Sequence, residues 1–568
     1  MGTAEGWLFS GYSVTNEDII ALWSDQLAPL LPILHAIHDR DGELSDAALR
    51  DVAKGLGHPL ADLYGTVTFY HHFSRAPRSN RSPRVCTGPV CRSHGADEIL
   101  VSLDGAVAMP CPGRCDDPVP VLIEDRVEIH RDSHVTTPPS ALPAPNPAGH
   151  EECVFRHIRE PARASLEGYR SHDGYEGLNR ALQMGADAIR DCITASGLVG
   201  RGGAGFPTGA KWTAVAEADR SPKTIVCNAD EGEPGCFQDR TIMDYDPHAV
   251  IEGVLIAALA TGAQRAIIYL RYEYPNTYRI LENAIREAEG AGLIGVDALG
   301  PGNPCYVHLR RGAGAYICGE ETSLLNSLEG KHPYPRNRPP YPVTNGFEDL
   351  PTAVNNVETL AVVPKILVHG ADWYQGLGRS DFAGTKVISV SGDVSRPGNY
   401  EVPLGFGLLE LLENWAGGAP DGRSIQAVTM AGLSGGVLAG EDLNVTLDEP
   451  SIRAKGGFLG AGGIMVFDDR RHMVEVARDA MHFFAEESCG KCFPCRVGTQ
   501  RLHERLEGTQ GPREAASWHE EVRDLAAVMK ATSACGLGQA APLIVESCVK
   551  YFPEDIDAHV RAGGNQNV

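Results

Sequence analysis

Ala186-Asp-Ala-Ile-Arg-Asp-Cys-Ile-Thr-Ala-Ser196, followed after Gly197 by Gly200-Arg201-Gly202-Gly203-Ala204-Gly205, is the stretch whose reading decides the fold. The glycines match G-x-G-x-x-G, the pattern of dinucleotide-binding loops. In the standard dinucleotide fold that loop follows a strand and opens a helix. Here the residues before it read as a helix ending at Gly197, so that fold is rejected. The physical content of the glycines survives. A run of them exposes backbone N–H groups able to form an anion-binding nest, and Lys211 adds a positive charge. The loop is expected to hold phosphate or ring edges of a cofactor; the plain alternative is a mobile surface loop.

Outward from this loop, residues 185–375 have α/β texture. Thr224-Ile-Val-Cys-Asn, Ala266-Ile-Ile-Tyr-Leu and Cys305-Tyr-Val-His-Leu read as strands. Helical stretches at 248–261 and 276–289 separate them, which favours a mostly parallel sheet. Asn228-Ala-Asp230-Glu231-Gly-Glu233 follows the first strand, where open α/β sheets bind ligands. Gly312-Ala-Gly-Ala-Tyr316-Ile-Cys-Gly319-Glu320-Glu321 also follows a strand and starts a helix. Acids in these loops suit hydroxyl or carboxamide donors rather than phosphate, although each loop alone could be a solvated turn. The run Pro333–Pro342 is expected to be an extended surface loop.

The fifteen cysteines are distributed unevenly. Cys489-Gly-Lys-Cys492-Phe-Pro-Cys495, joined by Cys535, has the ligand pattern of a [4Fe–4S] cluster. Zinc more often takes two pairs than a triplet with a distant single. Cys86-Thr-Gly-Pro-Val-Cys91 and Cys111-Pro-Gly-Arg-Cys115 suit either zinc or a [2Fe–2S] cluster by spacing. The strand-like flanks Arg84–Cys86 and Ala106–Cys111, and the glycines at 88 and 113, favour the cluster. The other seven (Cys153, Cys192, Cys227, Cys236, Cys305, Cys318 and Cys548) read as small buried residues, and a disulfide framework is not expected.

The remaining text of the chain sets the organisation. Its 568 residues suggest about three to five domains. The net charge of −24 argues against a nucleic-acid partner. No apolar run reaches the length of a membrane span, and Met1–Trp7 lacks the form of a secretory signal. Residues 14–75 read as helical, with Ser45 as an N-cap; 83–132 as a small α/β unit; and Thr136–Pro147 as a proline-rich linker. Residues 385–470 are strand-rich and 471–552 helical.

Five segments carry a specific resemblance: Gly200–Trp212, Asn228–Gly235, Gly312–Glu321, Asn355-Asn-Val-Glu-Thr359 and Glu487–Cys495. They resemble the NADH-binding flavoprotein (51-kDa type) subunit of respiratory complex I. Residues 14–132 resemble that complex's separate 24-kDa-type subunit. The resemblance implies an α/β multidomain chain: an N-terminal helical region (1–80), a thioredoxin-like [2Fe–2S] domain (81–135), a linker (136–184), an FMN- and NAD-binding α/β domain (185–375), a ubiquitin-like β-grasp (SLBB) domain (376–470) and a helical [4Fe–4S] domain (471–560).

The resemblance also implies FMN, NAD(H), one [4Fe–4S] and one [2Fe–2S] cluster. It places Gly200, Gly202, Lys211, Asn228, Asp230, Gly319, Asn355, Asn356 and Thr359 around FMN, with Arg201 and Glu231 in the same set. Phe206, Glu233, Tyr316, Glu320 and Glu321 fall near the flavin–nicotinamide contact, and Glu233 and Glu320 would serve catalysis by positioning. Arg338 and Tyr341 stand where the family has a dinucleotide-holding Lys and Phe, and Ala214 stands where an aromatic is sometimes found. The acids predict a preference for NADH over NADPH, which Arg338 would oppose.

Fusion of the two parts resembles diaphorase subunits of soluble NAD-reducing hydrogenases and NAD-dependent molybdenum or tungsten formate dehydrogenases. Some hydrogenase diaphorases lack N-terminal cluster cysteines; keeping all four leans the reading toward formate dehydrogenase. The implied partners are an iron–sulfur subunit with a formate dehydrogenase or [NiFe]-hydrogenase module, the implied location cytoplasmic, and no membrane insertion is expected. A complex I component is the other reading.

Overall fold

The computed structural model describes residues 14–77, 82–131, 134–137, 142–147, 149–508 and 511–563. The reading of Met1–Trp7, the boundary at 80/81 and positions 138–141 of the proline-rich stretch lie outside the described residues.

Four helices open the chain: Asn16–Trp23, Leu30–Asp41, Asp46–Leu56 and Leu60–Phe69. Ser45 caps the third as expected, its hydroxyl accepting from the Ala48 N–H at 3.2 Å. Then β1 (Arg84–Cys86), β2 (Val107–Met109), β3 (Pro120–Ile123), β4 (Arg126–Arg131) and β5 (His134–Thr136) make a mixed sheet of order β2-β1-β3-β4-β5. The strands expected before the two cysteine pairs are β1 and β2, paired in parallel.

The central domain holds a parallel sheet of β6 (Thr224–Ala229), β7 (Arg265–Leu270), β8 (Tyr306–Arg311) and β9 (Thr352–Asn356), in the order β8-β7-β6-β9. The helix Pro247–Thr261 between β6 and β7 is apolar nearly all round and buried nearly all round, as such a helix must be. Gly253 lets it meet the helix Val357–His369 closely: a Cβ there would fall 2.0 Å from the Leu360 carbonyl oxygen.

The expected linker over 136–184 needs correction in its second half. Leu166–Arg170 and Glu176–Met184 are helices, and Tyr169, Tyr175, Leu178 and Ala181 are buried. The reason is electrostatic. Glu252 sits inside the buried helix and needs donors. The segment supplies them from the Tyr169 hydroxyl, the Tyr175 N–H at 2.9 Å and the Leu178 N–H at 2.8 Å. Arg163 likewise makes a bidentate pair with buried Asp246 at 3.0 and 2.9 Å. The loop at 333–342 is only partly a surface feature, since Pro333, Pro335 and Pro342 are buried.

The next unit contains β10 (Thr385–Gly392), β11 (Gly398–Pro403), β12 (Phe406–Gly407), β13 (Ile425–Thr429), β14 (Val437–Ala439), β15 (Thr446–Leu447) and β16 (Gly463–Asp468). Its main sheet runs β11-β10-β16-β13-β14, and β12 pairs with β15. The helices Met473–Glu486, Phe493–Glu507, Ala515–Thr532, Gly536–Ala540, Leu543–Tyr551 and Pro553–Ala562 complete the chain. One apolar core runs from Leu34 and Val85 in the N-terminal parts through Ile317 to Phe484 and Trp518 in the C-terminal helices. The N-terminal parts therefore dock on the body, an arrangement reinforced by an Arg92–Asp479 ion pair at 2.7 Å. Among the described residues no helix is long and apolar enough to cross a membrane.

Candidate functional site

A cleft opens at the C-terminal ends of β6 and β9. Its wall includes Gly202, Gly203 and Ala204 from the glycine loop, Asn228 to Glu233 from the acid loop, and Tyr316, Gly319 and Glu320 from the loop after β8. The glycine loop is pinched shut by the Gly200 N–H donating to the Phe206 carbonyl at 2.9 Å. A Cβ on Gly202 would meet Asn356 Cβ at 2.9 Å. Gly203 has φ +119 and faces the backbone of Gly460 and Ala461. The close approach, rather than looseness, is what the glycines supply.

Several expected site residues turn away from the cleft. The Arg201 guanidinium is buried, donating to the Tyr374 hydroxyl at 2.6 Å, while its N–H donates to Thr359 Oγ1 at 2.8 Å. Asn355 Oδ1 accepts from the Trp212 indole at 3.0 Å. These side chains brace the glycine loop from behind. Glu231 contributes backbone to the cleft, but its carboxylate accepts from the N–H groups of Asp239 and Arg240 at 2.8 and 3.0 Å and from the Tyr274 hydroxyl at 2.8 Å. It caps the helix Gln238–Tyr245.

Asn228 spans the site, its amide donating to the Gly319 carbonyl at 2.8 Å and its oxygen accepting from the Asp230 N–H at 3.1 Å. Asn356 donates to Asp239 Oδ2 at 2.5 Å and caps the helix Val357–His369. Glu233 accepts from the N–H groups of Leu433 and Ser434 at 2.7 and 3.1 Å, from Ser434 Oγ at 2.6 Å and from the Tyr316 hydroxyl. Burial pushes the Glu233 carboxyl up against the pull of these bonds. It pushes Asp230 and Asp239 well up as well, with Glu231 adding to the effect on Asp239. A floor of carboxyls held toward the neutral form lessens the repulsion an anionic cofactor would meet.

Phe206 and Tyr341, both more than half exposed, are not among the residues lining the cleft. Lys211 donates to the Val354 carbonyl at 2.9 Å and faces Glu321 at 3.6 Å. Arg338 pairs with Glu320 at 2.5 Å and Glu321 at 2.9 Å. The second oxygen of Glu320 caps the helix Glu321–Leu328. Each of these acids thus has a cation beside it. The expected repulsion of a 2′-phosphate by Glu320 and Glu321 is therefore blunted, because the sequence could not show that Arg338 lies between them.

The sequence also missed a third of the cleft wall, contributed by two later parts of the chain. Ala431, Ser434, Phe458, Gly460 and Ala461 close it from the strand-rich unit, and Gly536, Leu537 and Ala540 from the C-terminal helices. The glycines of Gly456-Gly457-Phe-Leu-Gly460-Ala-Gly462-Gly463 were the available signal.

Cys489, Cys492, Cys495 and Cys535 line one small pocket with Ile317, Ser488, Lys491 and Leu537. Burial pushes the Cys495 thiol up to about 12 and the Cys535 thiol up to about 11, so cluster assembly there must release protons. At the other end, Cys86 ends β1, Cys91 lies in the short helix Pro89–Arg92, and Cys111 and Cys115 sulfurs are 3.3 Å apart. A Cβ on Gly88 would lie 3.7 Å from the Cys86 sulfur, an ordinary contact. Gly113 instead makes room for Tyr274, whose hydroxyl would be 2.0 Å from an added Cβ. Among the described residues, no three of these cysteines bring their sulfurs within 4.8 Å of one another. A single ion with Zn–S bonds of about 2.3 Å needs tighter grouping. Both donor sets therefore fit clusters better than zinc.

FMN fits the cleft on two grounds: the glycine cradle that Asn356 would clash with if filled, and Asp239 Oδ1, which is buried at the cleft without a hydrogen-bond partner. Gly202, Gly203, Asn228, Asp230, Asp239 and Asn356 would hold it. When bound, the flavin supplies hydride exchange with nicotinamide and one-electron exchange with iron–sulfur centres.

Comparison with known proteins agrees. Residues 193–365 match the Nuo51 FMN-binding domain, 475–559 the NADH-ubiquinone oxidoreductase-F iron-sulfur binding region, 16–121 the thioredoxin-like [2Fe-2S] ferredoxin and 387–440 the SLBB domain. An NADH-quinone oxidoreductase subunit of Rhizobium meliloti is 43% identical over 72% of this chain and 98% of that protein. The HndC subunit of the NADP-reducing hydrogenase of Solidesulfovibrio fructosivorans is 42% identical over 70% and 81%. A chain of an NAD+-reducing [NiFe]-hydrogenase in the H2-reduced state superposes with a TM-score of 0.80 at 32% identity, over 94% of this chain and 93% of that one. The chain belongs to the family of NADH-binding flavoprotein subunits of complex I and its hydrogenase relatives: it is an NAD-dependent flavin and iron–sulfur oxidoreductase subunit with its thioredoxin-like [2Fe–2S] domain on the same polypeptide.

Proposed function

We propose that this chain is the NAD(H)-oxidising and NAD-reducing diaphorase subunit of a cytoplasmic, multi-subunit formate dehydrogenase. The observation that carries the electron-transfer part is a shared wall. Ile317 and Leu537 line both the cofactor cleft and the cavity of Cys489, Cys492, Cys495 and Cys535. Arg271 donates to the Glu231 carbonyl at the cleft and to the Cys111 carbonyl at 2.7 Å. Both cysteine sets are thus linked to the cleft wall, one through shared lining residues and the other through Arg271. Phe206, Tyr341, Lys211 and Arg338 would orient the dinucleotide. Glu233 and Glu320, fully occupied by hydrogen bonds, would act by position rather than as proton carriers.

The formate dehydrogenase assignment rests on the intact, buried N-terminal cysteine set in a fused chain. The two-sided length match to an NAD+-reducing [NiFe]-hydrogenase chain favours a hydrogenase module as the second reading. Purifying the native complex and identifying its other chains and metals tests the choice. Molybdenum or tungsten with formate-dependent NAD reduction is the expected result; nickel with H2-dependent reduction would replace it by the second reading.

A further inference from the structure

The segment read as a linker contains a cluster outside the electron-transfer machinery. His157, Glu160 and His172 bring one ligand atom each within 4.8 Å of the others. The backbone sets this up. The Glu160 N–H donates to the His157 carbonyl at 3.1 Å, which puts both side chains on one turn. The His172 N–H donates to the Tyr169 carbonyl at 3.3 Å, and the His157 and His172 rings lie 5.1 Å apart. The segment is pinned at both ends. The N–H groups of Cys153, Val154 and Phe155 donate to Glu401 at 2.7, 3.0 and 2.6 Å, and Arg163 is clamped by Asp246.

Hydrogen-bond direction gives the cluster its meaning. Ser171 Oγ donates its single proton to the Gly168 carbonyl at 2.7 Å. It also lies 2.9 Å from His172 Nδ1, so there it accepts, and Nδ1 carries the proton. In the neutral ring Nε2 is then a lone pair, and it faces Glu160 Oε2 at 3.9 Å. With Nδ1 protonated, the Nε2–Glu160 contact is bridged either by a second ring proton or by a bound cation, and the nearby His157 ring makes the cation the three-ligand solution. An acceptor on the far ring nitrogen that fixes the tautomer of a ligating histidine is the usual support of a metal site, and Ser171 Oγ fills that place here. Arg163 is paired with Asp246 and Arg156 with Glu151.

We propose that His157, Glu160 and His172 form a divalent transition-metal site, with zinc the best match to two imidazoles and one carboxylate. Its fourth position would be open to water or to a group from a neighbouring subunit. The test uses cluster-loaded full-length protein dialysed against buffered zinc, with metals counted by mass spectrometry and zinc coordination read by X-ray absorption. One zinc per chain with a nitrogen and oxygen shell is expected. It should be lost in His172→Ala and Glu160→Gln, with iron and sulfide content and NADH oxidation unchanged. Ser171→Ala keeps all three ligands and should weaken zinc binding about 10–100-fold. No zinc uptake, equal zinc in wild type and His172→Ala, or sulfur in the zinc shell would each overturn the proposal; the last would place the metal at the cysteines.

Discussion

Replacing Arg271 by methionine probes how the [2Fe–2S] end is joined to the cofactor cleft. Arg271 follows β7 and is 4% exposed. Its guanidinium pairs with Glu273 at 3.0 Å, donates to the Cys111 carbonyl at 2.7 Å and also donates to the Glu231 carbonyl. Methionine fills similar space but supplies no donor. Glu273, itself 4% exposed, then loses its cation, and two carbonyls lose a partner. Breaking a buried pair from one side costs about 3–5 kcal/mol, and an orphaned carbonyl about 1–3 kcal/mol. These terms share one side chain and do not add, so about 3 kcal/mol is the lower figure to expect. For a unit of 150–250 residues that lowers the unfolding temperature by about 6–12 °C. The assay is acid-labile sulfide and the electron paramagnetic resonance of the reduced [2Fe–2S] cluster, alongside thermal unfolding. Cluster content should fall while NADH still reduces the flavin, and Arg271→Lys should lose less. A methionine variant with full [2Fe–2S] content, unfolding within about 1 °C of wild type, would refute the reasoning.

At the other cluster, a Cβ on Gly538 would sit 2.7 Å from Cys495 Cβ and 2.5 Å from Ser533 Oγ, whereas one on Gly536 meets nothing within 4 Å. Gly538→Ala should therefore lower [4Fe–4S] occupancy and Gly536→Ala should not; equal iron content in the two variants would contradict the packing argument. Arg338→Ala unmasks Glu320 and Glu321 and should raise KM for NADH about tenfold, ~1.4 kcal/mol, with little change in kcat. An unchanged KM would remove Arg338 from the dinucleotide site. Glu401 is buried, and burial pushes its carboxyl up to about 7 from 4.5. The folded state then holds the proton more tightly than the unfolded chain, so stability falls as pH rises from about 4.5 toward 7. Wild type should lose stability across that window relative to Glu401→Gln, and a difference that stays flat with pH would refute the shift.

Local chemistry was legible in the sequence. The spacing of Cys489, Cys492 and Cys495 points to a [4Fe–4S] cluster because ligand spacing acts over a few residues, whereas the N-terminal pairs needed their strand-like flanks to favour [2Fe–2S] over zinc. The helix running into Gly197 excludes the standard dinucleotide fold by the same kind of short-range logic. The strands β6, β7 and β8 and the helix Pro247–Thr261 follow from apolar runs that need burial wherever they lie. Tertiary structure decided the rest, because a side chain's direction depends on partners far along the chain. Arg201 looks like a phosphate ligand beside its glycines, yet Tyr374 and Thr359 draw it inward. Glu320 and Glu321 look like free acids until Arg338 is set between them. The segment at 153–184 looks like a tether until Glu252, Asp246 and Glu401 take their donors from it. A buried carboxylate needs hydrogen-bond donors wherever the fold can bring them, and the donors it recruits are set by the three-dimensional path of the chain rather than by spacing along it.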